Sequence, residues 1–146
     1  MALEDLYRDV ILDHYRNPRN AKPLDSPDAV AAGVNPLCGD EITVELTFED
    51  DHVKEVSVRG QGCSISQSAA SMMSAAIVGK HRDEITTLAE RFHLMMTAEE
   101  EAEVGLDPER PGTVLGDLEA LQGVRRYPVR IKCASLPWTT LAEALE

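Results

Sequence analysis

Between residues 42 and 59 the chain alternates apolar and polar residues twice over. Ile42, Val44, Leu46 and Phe48 occupy every second position, the period of a strand with one buried face. Glu49-Asp50-Asp51-His52 breaks the pattern as a turn, and Val53 to Arg59 returns with Val56 and Val58 in step. The pattern predicts an antiparallel hairpin. A hairpin with one apolar face is not stable alone and has to be covered by further elements.

Helical periodicity on either side supplies that cover. Leu3, Leu6, Tyr7, Val10, Ile11 and His14 recur at helical spacing and predict a first helix that stops before Pro18. Residues 17–36 read as a loop holding one short strand within Ala29 to Val34. After the hairpin, Ser64 and Gln67 match a capping box that opens a helix from about Ile65 to Val78, with Gly79 as its stop. Ile85, Leu88, Ala89, Phe92, Met95 and Met96 mark the buried face of another helix. A short helix over Asp117 to Gln122 is expected to end at Gly123. Ile131, Ala134, Trp138, Leu141, Ala142 and Leu145 mark a final helix.

A chain of 146 residues is of ordinary single-domain size, and the expected unit is one domain over residues 1–146. The segment around 97–116, with Glu99, Glu100, Glu101 and Glu103, reads as an acidic, insertion-like surface stretch. The formal net charge of −12 argues against nucleic acid or an anionic membrane as partner. No apolar run approaches a membrane span, and Met1 to Asp9 carry no signal-peptide core. The expectation is a cytoplasmic protein with reduced thiols.

Three cysteines cannot all pair within one chain, and in a reducing compartment metal binding or thiol chemistry is the better reading. Cys38 and Asp40 flank Gly39, so a thiol and a carboxylate two residues apart can aim at one point. Cys63 follows Gly60-Gln61-Gly62 at a helix N-terminus, where the dipole lowers a thiol pKa. Cys133 follows the basic run Arg130-Ile131-Lys132. Cys38, Asp40, Cys63 and Cys133 would make a closed tetrahedral set for zinc. Their spacing is not that of a zinc finger, and buried inert cysteines or redox thiols remain readings of the same residues. His14, His52, His81 and His93 stand apart from the cysteines in sequence and are expected on the surface or at the core edge.

Longer motifs add to this. Leu6-Tyr7-Arg8, His14-Tyr15-Arg16-Asn17-Pro18-Arg19-Asn20, Asn35-Pro36-Leu37-Cys38-Gly39-Asp40, Gly60-Gln61-Gly62-Cys63-Ser64-Ile65-Ser66, Ala69-Ala70-Ser71-Met72-Met73 and Arg130-Ile131-Lys132-Cys133-Ala134 occur in that order. Together they closely resemble the SufU family of zinc-dependent sulfurtransferases, relatives of the IscU scaffolds and of the NifU N-terminal domain.

The resemblance implies an α+β fold, a small three-stranded antiparallel sheet packed against about five to six helices. It implies one zinc ion per chain on Cys38, Asp40, Cys63 and Cys133, with Cys38 as the sulfur acceptor and Arg130 important for activity. The implied donor is the persulfide of a SufS-type, pyridoxal-phosphate-dependent cysteine desulfurase, a histidine of which takes the place of Cys38 on zinc. The implied recipient is a SufBCD-type iron–sulfur assembly complex. The alternative is an IscU-type scaffold that holds iron or an iron–sulfur cluster on the same ligands. Such scaffolds usually carry histidine immediately before the third cysteine, where this chain has Lys132.

Overall fold

The computed structural model describes residues 3–36, 39–97 and 115–145. Cys38 and the acidic residues Glu99, Glu100, Glu101 and Glu103 lie outside them. Helix α1 (Leu3–Arg16) leads through a loop to strand β1 (Ala29–Asn35). Strands β2 (Asp40–Glu49) and β3 (His52–Gln61) form the predicted hairpin. Helices α2 (Ser64–Ile77) and α3 (Arg82–Thr97), a 3-10 helix (Gly116–Arg126) and helix α4 (Pro128–Ala144) follow. The fold is the expected α+β arrangement, with a three-stranded antiparallel sheet in the order β1-β2-β3.

The hairpin turn is set by local chemistry. Asp50 and Asp51 both have positive φ, 51° and 63°. Two such residues between the paired Glu49 and His52 make a turn whose twist matches that of the flanking strands. Aspartate tolerates this conformation better than most residues. A register shift at Thr47/Phe48 then bends the ladder.

One face of the sheet is covered. Ala31, Ile42, Val44, Leu46, Val53, Val56 and Val58 are buried there, against α2 on the β3 side and α4 on the β1 and β2 side. Met72, Met73, Ile77, Leu136 and Leu141 complete the core between sheet and helices. Phe92 of α3 stacks on Trp138 of α4, with ring centroids 5.3 Å apart.

Gly33 decides how closely α4 lies on β1. A Cβ there would overlap the Thr140 side chain and stand 3.2 Å from Leu136 Cδ1. Residues 133, 136 and 140 fall on one helix face, so the contact at Gly33 also sets the approach of Cys133 to the end of β1.

Three sequence expectations are corrected. The cap of α2 is Cys63, not Ser64. Cys63 has extended backbone (φ −73°, ψ 165°), and its sulfur accepts from the Ser66 amide. Ser64 is already helical, and the Gln67 side chain turns to Ser66 Oγ instead of closing a capping box. The short helix is a 3-10 helix that continues through Gly123 to Arg126. His14 is buried at 2% exposure, joining Ser71 Oγ through Nδ1 and Asp117 Oδ2 through Nε2, both at 2.8 Å. A carboxylate only accepts, so Nε2 carries the proton. In the neutral ring Nδ1 then accepts from Ser71, whose oxygen in turn accepts the Arg19 amide. This chain of bonds pins α1 to α2 and to the 3-10 helix.

Candidate metal centre

Three of the four expected ligands are described, and the fold brings all three together. Asp40 opens β2, Cys63 caps α2, and Cys133 sits in the second turn of α4. One donor atom from each lies within 4.8 Å of the others. Asp40 (1% exposed) and Cys133 (0%) are buried, and Cys63 is half-buried.

The antiparallel register accounts for the meeting of Asp40 and Cys63. Glu41 pairs with Gln61 across β2 and β3, so the residue before the one and the residues after the other reach the same sheet end. The Cys63 amide donates to Asp40 Oδ1 at 2.8 Å, and Cys63 Sγ stands 3.8 Å from Asp40 Oδ2. Gly62 makes room for this contact. Its φ of +148° and the overlap that a Cβ would make with the Asp40 carboxylate both require glycine.

The electrostatics favour a charged Asp40. Burial works to raise the Asp40 carboxyl, but bonds from the Cys63 amide, and then from the Cys133, Ser66 and Cys63 side chains, outweigh it and hold it below the ordinary aspartate value. Arg130 is exposed, yet it faces the same cluster. Cys63, through charge and a hydrogen bond, and then Cys133 hold its guanidinium above the ordinary range. Arg130, read from resemblance alone, therefore stands beside two of the three donors. Lys132 lines a shallow cleft between β1 and α4 with Val34, Asn35, Ser135, Leu136 and Thr139.

Two neighbours were missed in the sequence. Ser66 donates its amide to Cys63 Sγ at 3.5 Å and its hydroxyl to the Cys63 carbonyl at 3.1 Å. Asn35 donates its side-chain amide to Cys133 Sγ at 3.8 Å. Both follow from position in the fold. A serine in a first helical turn and an asparagine at a strand end are ordinary in sequence.

The donor set fits a zinc ion. Ligand bonds of about 2.0–2.3 Å in a tetrahedron put donor atoms roughly 3.5–3.8 Å apart, and the Cys63–Asp40 separation is already 3.8 Å. Thiolates with one carboxylate also suit iron–sulfur clusters.

With this geometry in hand, comparison with known proteins is specific. The sequence pattern of the NifU-like N-terminal domain matches residues 6–134. The zinc-dependent sulfurtransferase SufU of Bacillus subtilis (strain 168) is 42% identical over 144 residues, 98% of this chain and 91% of that protein. The iron–sulfur cluster assembly scaffold protein IscU of Streptococcus pyogenes serotype M1 is 37% identical, over 99% of this chain and 85% of that protein. The crystal structure of FiSufU from Fervidobacterium islandicum AW-1 superimposes with a TM-score of 0.83 at 31% identity, covering 99% of this chain and 100% of that one. Sequence and fold together thus define a known class. The chain belongs to the NifU-like N-terminal domain family, which includes SufU and IscU proteins.

Proposed function

We propose that this protein is a zinc-dependent sulfurtransferase that accepts sulfur on Cys38 from a SufS-type cysteine desulfurase and passes it to a SufBCD-type assembly complex. The convergence of Asp40, Cys63 and Cys133 carries this reading. Cys38 belongs to the connection between β1 and β2, whose ends Asn35 and Asp40 are paired.

Asp40, Cys63 and Cys133 would hold the metal, and Cys38 would complete four ligands. Zinc bound there keeps coordinating thiols deprotonated at neutral pH. The Cys38 thiolate attacks the outer sulfur of the donor persulfide. A new S–S bond forms at Cys38, the donor S–S bond breaks, and the donor leaves as a thiolate. The step moves one sulfur atom with its proton and needs no external oxidant or reductant. Arg130 faces the Cys63 and Cys133 sulfurs and stabilises negative charge at the cluster during transfer.

Elemental analysis with a desulfurase assay tests this. The expected result is about one zinc per chain and a large rise in desulfurase turnover that Cys38→Ala abolishes. Full stimulation by Cys38→Ala would overturn the mechanism. The second reading, an IscU-type scaffold, is favoured by the Streptococcus relative's name and by the donor set. It requires iron with acid-labile sulfide in protein purified without oxygen. Lys132 before Cys133, where scaffolds usually carry histidine, supports the first reading.

A further inference from the structure

Asn35 stands where three parts of the centre meet. It is the last residue of β1 and pairs with Asp40 across the ladder, so it closes the base of the connection that carries Cys38. It is buried at 6% exposure. Its carboxamide does not turn to water but points to Cys133, 98 residues away, with Nδ2 3.8 Å from Sγ. The direction of this bond is fixed by chemistry, since the amide nitrogen can only donate. The sulfur also lies 3.9 Å from the Val129 carbonyl and faces Arg130.

We propose that Asn35 is a positioning residue of the metal centre, holding the Cys133 sulfur in a fixed orientation and tying it to the end of β1. The inference rests on the metal-binding reading above and adds a division of labour to it. Cys63 is fixed by the Ser66 amide, Asp40 by the Cys63 amide and Cys133 by Asn35. Cys63 is thus oriented by the helix that it caps, and Asp40 and Cys133 by donors from outside their own elements, which is how outer partners set ligand direction. Cys133 is thereby kept as an anchor of the centre.

The test is cobalt substitution of Asn35→Leu, close to the native side chain in size but without the donor, and of Asn35→Ser, which retains a hydroxyl donor. Cobalt(II) bound to thiolates gives a sulfur-to-metal charge-transfer band. Its energy falls as a thiolate loses hydrogen bonds, and its position does not depend on how much of the sample is folded. The expected result is a band moved to longer wavelength in Asn35→Leu and a zinc affinity lower by about 10- to 100-fold, with Asn35→Ser in between. An unchanged band and unchanged zinc affinity in Asn35→Leu would overturn the proposal. Lower stability without a band shift would also overturn it, because a purely structural asparagine does that. Parent protein that gives no thiolate band with cobalt would remove the metal-binding reading itself, and the role of Asn35 with it.

Discussion

The side chain of Thr140 occupies the space that a Cβ on Gly33 would need. Helix α4 therefore rests directly on the β1 backbone, and Cys133 is carried to the strand end two residues beyond Gly33. Gly33→Ala is expected to push α4 outward, lowering stability by about 1–3 kcal/mol through overpacking and weakening zinc retention. Denaturant unfolding and metal content measure both effects. Gly33→Ala/Thr140→Ala should recover part of each, because the two sites are in contact and couple. A double variant no better than Gly33→Ala would argue against this contact as the cause.

Arg130 is close enough to Cys63 and Cys133 to be held above its ordinary range by them. Lysine keeps the charge but loses the planar fork that can serve two sulfurs. Arg130→Lys should keep zinc and slow sulfur acceptance by about 10- to 100-fold, as other partners of metal ligands do. Single-turnover persulfide transfer is the measurement, with zinc content as control. Native rates in Arg130→Lys would reduce Arg130 to a surface charge.

His14 links three elements from a buried position. His14→Ala is expected to cost about 1–3 kcal/mol, because it leaves the Ser71 hydroxyl without one of its partners. Asp117→Ala should cost less, since that carboxylate is 60% exposed. Zinc stoichiometry should be unchanged in the folded fraction of both. Urea unfolding followed by circular dichroism decides the order.

Asp13 gives a pH dependence. A hydrogen bond from Arg19 at 2.6 Å, then one from Asn17, hold its carboxyl below the ordinary value. A carboxyl depressed in the folded state adds stability that is present above the unfolded pKa of about 3.9 and is lost as pH falls through the folded value. Asp13→Asn should therefore unfold earlier than the parent at pH 6, and the gap should close as pH falls below 4. Both side chains are partly exposed, so added salt should also narrow the gap. A gap constant from pH 6 to pH 2 would exclude this origin.

What the sequence revealed divides by range. The β2–β3 hairpin was legible because its period of two is local and its turn is rich in aspartate. Asp40, Cys63 and Cys133 were legible because thiols are scarce in this chain and each stands beside a glycine turn or a basic run. Cys63 as a helix cap was not, because cysteine is outside the usual capping residues and Ser64-Gln67 offered a familiar pattern. The partners of His14 lie 57 and 103 residues away, and that of Asn35 lies 98 away. Only the packing of α1 and α4 reveals them. Gly33 lies within the expected first strand, but its role depends on α4, distant in sequence, which packs on it.

The late position of Cys133 has a consequence for how the protein is made. Asp40 and Cys63 meet across a short separation of 23 residues, but the cluster is incomplete unless α4 is docked on β1. An ion held by all these ligands therefore requires α4 packed on β1, and would bind the folded state in preference to the unfolded one. Each tenfold rise of free ion above its dissociation constant then adds about 1.4 kcal/mol to the native state. The amount of intact protein that escapes proteolysis in a cell would consequently follow the local supply of that ion.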